Sequence, residues 1–306
     1  MPSRLSRPLS LGAALLLAAC AVAVAAPAAP QRTVTDDLGH AVPVPPPPLR
    51  IVSLTPGATE TLFSAGAGSQ VIATVEYSDE PPAARRVPRI GDVVAIDMER
   101  LVALHPDVVI AWPTGGNPAQ RQKAAALGIA VYDQDVLRLA DLPGSVRRLG
   151  RLAGTTAAAE RAADALAARL AALERTYGAH GGAQRPSVLL QVWNRPIYTV
   201  GGRHLMSDAL ALCGARNAFA DLPESGPVLD MEAVIARDPD IIIAAAPSGE
   251  GAAWLADWKR FGSLKAVRSG RLVAFEDQAL SRLGPSVISA TEELCRAIAR
   301  VNRGSY

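Results

Sequence analysis

The sequence predicts two Rossmann-like α/β lobes with mostly parallel sheets, joined by one long rigid helix, and three observations carry that reading. The stretch Asp97-Met-Glu-Arg-Leu-Val-Ala-Leu-His-Pro-Asp-Val-Val-Ile-Ala-Trp112 returns as Asp230-Met-Glu-Ala-Val-Ile-Ala-Arg-Asp-Pro-Asp-Ile-Ile-Ile-Ala-Ala245, at a constant offset of 133 residues (Asp97 to Asp230, Pro106 to Pro239). Each copy reads as a short helix stopped by Pro-Asp, followed by a β-branched run suited to a strand buried on both faces. Around each copy, strands and helices alternate, the signature of parallel sheets. Between them, residues 142–177 contain no strand pattern at all.

Taken in order, the chain begins with an address. Arg4 and Arg7 precede the apolar run Leu9 to Ala19, which is too short to span a bilayer and reads as the core of a signal peptide over 1–25. Two cleavage readings compete. Leu17-Ala-Ala-Cys20 fits a bacterial lipobox that would lipidate Cys20, and Ala23-Val-Ala25 fits a soluble-export site. Only Cys213 and Cys295 then remain, and an exported protein meets an oxidising compartment that favours their pairing; two buried thiols are the competing reading. Residues 26–49 form a Pro-rich leader with four consecutive prolines, Pro45 to Pro48, read as an extended spacer.

The first lobe is assigned to 50–140. Ile51 to Leu54 is a strand, and Thr55 to Ala65 a helix capped by Thr55, opened by Pro56 and closed by Gly66. Val71 to Val75 is a strand, and Tyr77 lies in the Pro-rich loop that follows it. After the first copy of the repeat, Trp112 sits at a strand exit ahead of Pro-Thr-Gly-Gly-Asn117. A helix over 119–127 and a strand over 129–132 complete the lobe. The linker, 141–180, carries a helix ending near Gly154 and a second, capped by Thr155, with Leu166, Leu170, Leu173 and Tyr177 on one face. That second helix is long enough, roughly 30 Å at 1.5 Å per residue, to brace two lobes.

The second lobe, 181–306, opens with the strand Ser187 to Val192 and the loop holding Trp193 and Tyr198. A helix over 205–213, the second repeat copy, a helix over 254–261, a strand over 271–275, an exit loop over 277–285 and a final helix over 286–301 follow. Aromatics are scarce, with four Trp, five Tyr and four Phe, yet Tyr77, Trp112, Trp193 and Tyr198 all fall at strand exits, where open α/β sheets bind ligands. For any one of them core packing is the simpler reading. Their joint placement points to a cleft for a large, partly apolar ligand, with Asp277 and Arg282 available to orient it.

Several function classes are excluded or unsupported. The 306-residue chain has 49% hydrophobic and 20% charged residues, so it has enough apolar material for two cores, and its net charge of +2 gives no field for nucleic acid. No nucleophile elbow, phosphate loop or zinc motif occurs, and His40, His105, His180 and His204 are isolated in sequence, so neither a catalytic nor a metal set is assigned. No cofactor is assigned.

The motifs Arg50-Ile-Val-Ser-Leu-Thr-Pro-Gly-Ala-Thr-Glu60, Tyr77-Ser-Asp-Glu-Pro-Pro82, Glu99-Arg-Leu-Val-Ala-Leu-His-Pro-Asp107, Ile110-Ala-Trp112 with Gly-Gly-Asn117, and Tyr198-Thr-Val-Gly-Gly202 together resemble the cobalamin-binding proteins of vitamin importers. That group lies within the helical-backbone class of periplasmic binding proteins for metal chelates. The resemblance runs from about Arg50 to the C-terminal helix. It implies a monomeric extracytoplasmic protein, soluble or lipid-tethered, that holds a corrinoid between its lobes and delivers it unchanged to an inner-membrane ABC permease with its ATPase. On matching positions it implies that Tyr77, Trp112 and Tyr198 line the ligand and that Asp277 and Arg282 bond its periphery. Trp193 is added from its loop position. Glu99 and Glu232, otherwise explained as acids at helix N-termini, match the glutamates that dock on the permease. Cys213 and Cys295 match a pair that is bonded in the family. The chain departs from the pattern near Val93 and Val228, where tryptophans are expected, and the Asp277 to Arg282 spacing is one residue longer. A haem or ferric-siderophore carrier on the same scaffold is the alternative, haem requiring an axial ligand such as Tyr77 or His204; an exported α/β enzyme is the more distant one.

Overall fold

The computed structural model describes residues 31–178, 185–276 and 278–302. The chain runs β1 (Arg32–Thr35), β2 (Ala41–Val44), β3 (Ile51–Ser53), α1 (Pro56–Ser64), β4 (Val71–Ala73), α2 (Met98–Ala103), β5 (Val108–Ala111), α3 (Pro118–Ala126) and β6 (Ala130–Asp133) through the first lobe. The linker holds α4 (Leu142–Ala153) and α5 (Thr156–Tyr177). The second lobe follows with β7 (Ser187–Gln191), β8 (Ile197–Tyr198), α6 (Leu205–Leu212), β9 (Arg216–Asn217), β10 (Val228–Leu229), α7 (Met231–Arg237), β11 (Ile241–Ala245), α8 (Gly251–Trp258), α9 (Lys265–Arg268), β12 (Leu272–Phe275), α10 (Ala279–Arg282) and α11 (Val287–Asn302).

Each lobe is built on a four-stranded parallel sheet, ordered β4-β3-β5-β6 and β12-β11-β7-β9. The orders are equivalent: each opening strand, β3 or β7, sits between the next strand of its sheet and the strand of the repeat. Side chains alternate between faces, so each sheet is buried twice. In the first lobe Ile51, Val108 and Ile110 pack with Leu62 of α1 and Leu149 of α4, while Val52 and Val109 meet Leu101 of α2 and Ala124 of α3. In the second, Val188, Leu190 and Ile243 meet Leu210 and Leu294, while Leu189 and Ile242 meet Trp254 and Trp258.

The polar residues of the repeat do the same work twice. Asp97 and Asp230 cap their helices, accepting from the backbone N–H of Arg100 at 2.9 Å and of Ala233 at 2.7 Å. The helices end on left-handed residues, His105 and Asp238, and proline prevents continuation. Asp107 then accepts from Arg50 N at 2.7 Å and Asp240 from Ser187 N at 2.8 Å, tying each copy to the opening strand of its own lobe.

The linker joins both cores. Ala159 and Ala163 near the start of α5 are buried with the first lobe, Leu170 and Leu173 with the second, and Leu166 packs against both. Thr155 does not cap α5 as expected: its hydroxyl donates to the Ala65 carbonyl at 2.6 Å, spending the side chain on α1.

The leader is a larger correction. Residues 26–49 were expected to be a spacer with folding beginning near Arg50, but β1 and β2 form an antiparallel hairpin, and Val42, Val44 and Leu49 are buried in the first core. The alternation Ala41-Val-Pro-Val44 puts both valines inward, and Pro43 is tolerated because the hairpin has a free edge. Within its turn, the Asp37 carboxylate accepts from Tyr132 at 3.1 Å, Ser145 at 2.8 Å and Arg148 at 2.7 Å. The short β8, β9, β10, α9 and α10 also lie outside what periodicity predicts, being too brief to show a period. Cys20 and His180 fall outside the described residues. Among those described, no helix is long and apolar enough to cross a membrane.

Candidate functional site

The strands of both sheets end at a common cleft of 650 Å³, lined by both lobes. The first lobe supplies Thr55 and the start of α1 after β3, Trp112 after β5, and Gln134 and Val136 after β6. The second supplies Val192 and Trp193 after β7, Ala245 to Pro247 after β11, and the segment Gln278 to Leu283 after β12.

Tyr77 stands on a fastened loop. Buried hydroxyls of Thr59, Thr74 and Ser78 bond one another beneath it, with Thr74 to Ser78 at 2.9 Å, and Arg89 donates to the Ser78 carbonyl at 2.8 Å. Tyr77 itself adopts a left-handed φ of 64°, is 73% exposed and lines the cleft. An exposed aromatic held on strained backbone is a mark of a functional position. Trp112 is half-buried, and its six-membered ring lies over Gly115, where a Cβ would collide with it. The Gly-Gly pair after Trp112 is thus what lets the ring lie flat. Asp135 sits behind it, its carboxyl pushed up by burial against the opposing pull of the Thr114 hydroxyl, 2.6 Å away, and of the Trp112 side chain.

In the facing wall, Trp193 is 53% exposed and braced edge-on by Trp254, with ring centroids 6.3 Å apart. Its loop is pinned from below: Gln191 accepts from the Trp258 indole at 2.7 Å and donates to Asn194 at 2.9 Å. Arg282 ends α10 at the cleft floor, 3.9 Å from Glu60 of the other lobe, and among the described residues its buried Nε has no hydrogen-bond partner.

The structure therefore brings together Tyr77, Trp112, Trp193 and Arg282. Tyr198 is not among the cleft-lining residues: it is half-buried in the small antiparallel pair of β8 and β10, opposite Val228. Asp277 lies outside the described residues. Val93 lines the cleft and Val228 is exposed beside Tyr198. Gln134, Val136, Pro247, Glu250 and Ser281 also line the cleft and were not foreseen. They share the strand-exit position that singled out the aromatics, but nothing in their own chemistry draws attention to them.

Glu99 and Glu232 are exposed in the first turns of α2 and α7. Cys213 and Cys295 form a disulfide between α6 and α11. His204 is buried away from the cleft wall; its Nδ1 accepts from Met206 N at 3.1 Å as the cap of α6, and burial lowers its pKa to about 4. Among the described residues one trio offers metal-ligand atoms within 4.8 Å of one another, Asp36, His40 and Asp133. Asp36 Oδ1 accepts from Leu38 N and His40 N and Asp133 Oδ2 from Arg121 at 2.5 Å, Asp133 Oδ1 has no hydrogen-bond partner among the described residues, and none of the three lines the cleft.

Comparison with known proteins places this geometry. Residues 51–279 match the family model described as periplasmic binding protein. A vitamin B12-binding protein of Photorhabdus laumondii is 32% identical over 252 residues, spanning 82% of this chain and 88% of the relative. The crystal structure of the periplasmic vitamin B12 binding protein BtuF of Vibrio cholerae superposes with a TM-score of 0.75 at 28% identity, over 84% of this chain and all of that one. The periplasmic heme-binding protein RhuT from Roseiflexus sp. RS-1 gives a TM-score of 0.69 at 25% identity, over 82% of this chain and 98% of its own.

Proposed function

The chain belongs to the periplasmic binding protein family, and from that premise we propose that it captures cobalamin between its lobes and hands it, chemically unchanged, to an ABC permease driven by its ATPase. The observation that carries this reading is the pair of facing aromatic walls, Tyr77 and Trp112 against Trp193, at the mouth of a cleft in a chain 32% identical to a vitamin B12-binding protein. Flat aromatic faces suit a macrocycle presented edge-on, and Arg282 offers a donor to its amide periphery. A corrinoid arrives with cobalt already ligated on both faces, so the cleft needs no metal ligand of its own. Asp277, with Arg282, hydrogen-bonds the ligand's peripheral groups, and Tyr198 contributes from the ledge beside Val228 through contacts with the ligand's nucleotide loop. No step of this role is catalytic, and the protein acts as a monomer.

Glu99 and Glu232 are the docking points for the permease. In support, each is followed one turn later by an exposed apolar residue, Val102 at 40% and Ile235 at 43%, again at the offset of the repeat. Each lobe thus offers an acid and an apolar contact on one helix face, the pairing expected of a partner site that needs both steering and burial. Export places the mature chain outside the cytoplasm, and Cys20 is the anchor if the lipobox is used.

Calorimetric titration with cyanocobalamin, with haemin and a ferric siderophore as competitors, tests the reading. One-to-one cobalamin binding, weakened by Trp112→Ala, is the expected result. Preference for haemin would transfer the same cleft to haem, with Tyr77 as the exposed axial candidate. Silence towards all three ligands would overturn the carrier role.

A further inference from the structure

Glu60 lies on α1 in the first lobe, but its hydrogen bonds are made with the second. Oε1 accepts from Ser286 N at 2.5 Å and Oε2 from Ser286 Oγ at 2.8 Å, so the carboxylate sits at the head of α11 across the lobe boundary. A carboxylate suits that place, where the unpaired N–H groups of a 16-residue helix converge. The two backbones approach closely here: a Cβ on Gly57 would strike the Arg282 carbonyl, and one on Gly284 would come 2.5 Å from Glu60 Oε2. Leu283 between them is left-handed, at φ 60°. The clasp is next to the ligand cleft, since Gly57, Ala58, Arg282 and Leu283 all line it.

Arg282 has an unusual position in this arrangement. Its buried Nε has no hydrogen-bond partner among the described residues and stands 3.9 Å from Glu60 Oε2, too far to be satisfied by it. A buried donor with no partner is costly, and this one ends in the wall of the cleft. Glu60 thus holds the guanidinium by charge while its own hydrogen-bonding capacity goes to Ser286. The donor is left for whatever enters.

We propose that Glu60 is a positioning residue for ligand capture: by clasping Ser286 across the lobes it sets the width of the cleft floor, and by its charge it keeps Arg282 aimed into the cleft and unsatisfied. The proposal rests on the cobalamin reading for its ligand but not for its geometry. Groups facing Glu60 are Ser286 and Arg282 from the second lobe and Glu80 from the loop after β4. Burial raises the Glu60 pKa against the pull of Ser286 and Arg282, so Glu60→Gln, which removes a desolvated charge and keeps an acceptor for Ser286 N, is expected to fold.

The test uses spin labels on two exposed helix positions, Ala125→Cys in the first lobe and Ala256→Cys in the second, and reads the inter-label distance together with cyanocobalamin affinity. Glu60→Ala is expected to broaden and lengthen the distance distribution and to weaken binding at least tenfold. Glu60→Gln should keep the distance and lose a few-fold in affinity through Arg282. Arg282→Ala should weaken binding without moving the labels, and adding it to Glu60→Ala should cost little more, because coupled residues are not additive. Unchanged distances and affinity in Glu60→Ala, or fully additive losses, would overturn the proposal. If Glu60→Ala fails to fold, Ser286→Ala replaces it, with widening expected and an unchanged distance contradicting the clasp. If the unmodified protein binds no cyanocobalamin, the ligand reading fails while the distance arm still decides the clasp.

Discussion

Strand for strand, β3, β4, β5 and β6 of the first lobe correspond to β7, β9, β11 and β12 of the second, yet the two lobes treat their charges in opposite ways. The first buries acids: Glu60, Asp133 and Asp135 all have pKa values raised by burial. The second keeps Asp221 and Asp257 at its surface, lowered by hydrogen bonds from Arg237 and Arg195. Asp240, despite its burial, is lowered by the N–H and hydroxyl of Ser187. The fasteners differ as well. The first lobe closes over a polar network centred on Asp37, the second over the Cys213–Cys295 disulfide. One topology therefore tolerates two schemes of attachment, and the difference lies in what each lobe loses when conditions change.

The sharpest way to break the comparison is to remove the fasteners. Cys213→Ser with Cys295→Ser opens an 82-residue loop and should cost about 2–5 kcal/mol, read as thermal unfolding that exposes the second lobe first in hydrogen exchange. Asp37→Ala leaves Arg148 and the buried Ser145 and Tyr132 hydroxyls without their acceptor and should cost about 3 kcal/mol, with the first lobe exposed first. If either substitution exposes both lobes together, the assignment of one fastener to each lobe is wrong.

Acid should separate the lobes next. His204 is held neutral, its pKa near 4 against 6.5 for the free side chain, so the unfolded chain binds the proton more readily. Its contribution is present above pH 6.5 and is lost as pH falls towards 4, about 3 kcal/mol in all. The raised carboxyls of the first lobe act with the opposite sign: their contribution is present at low pH and lost as pH rises past their ordinary values. Denaturant unfolding followed by exchange at pH 7 and at pH 4.5 should show the second lobe weakened selectively. His204→Asn, which keeps a capping acceptor, should flatten that dependence.

Smaller effects test the cleft and the outer face. Trp112→Ala should weaken cyanocobalamin binding by about tenfold or more, and Trp193→Ala by less, because Trp112 is the better-packed anchor; titration of both variants checks the order. Glu99→Ala and Glu232→Ala should each reduce this protein's stimulation of ATP hydrolysis by the transporter a few-fold and to a similar degree, with cobalamin affinity unchanged. Unequal losses would mean that the repeat is matched in fold but not in docking.

Much of this was legible in the chain because the repeat writes the architecture twice. The strand-exit rule located Trp112, Trp193 and Tyr77 because aromatics are rare here and their positions relative to each strand are fixed by the backbone. It did not foresee that Tyr198 stands beside the cleft lining, in a two-residue strand β8 paired with Val228 that no local pattern announces. The hairpin was hidden by its prolines: composition spoke for a spacer, and only contact with Leu49 and the first core makes Val42 and Val44 a buried strand. Glu60 read as one residue of a motif, and its role depends on Ser286, 226 positions away, a distance over which no sequence periodicity extends. The disulfide was expected from the cysteine count, the exported compartment and the resemblance rather than from spacing, its two cysteines standing at the end of α6 and in α11, which meet only in the folded lobe.

Hydrogen exchange with and without saturating cyanocobalamin tests capture between the lobes most directly. Protection of the Tyr77 loop and the Trp112 loop in the first lobe, together with the Trp193 loop and residues 278–283 in the second, is the predicted result. Protection confined to one lobe, or spread over the outer helices α2 and α7 instead, would contradict capture in the cleft.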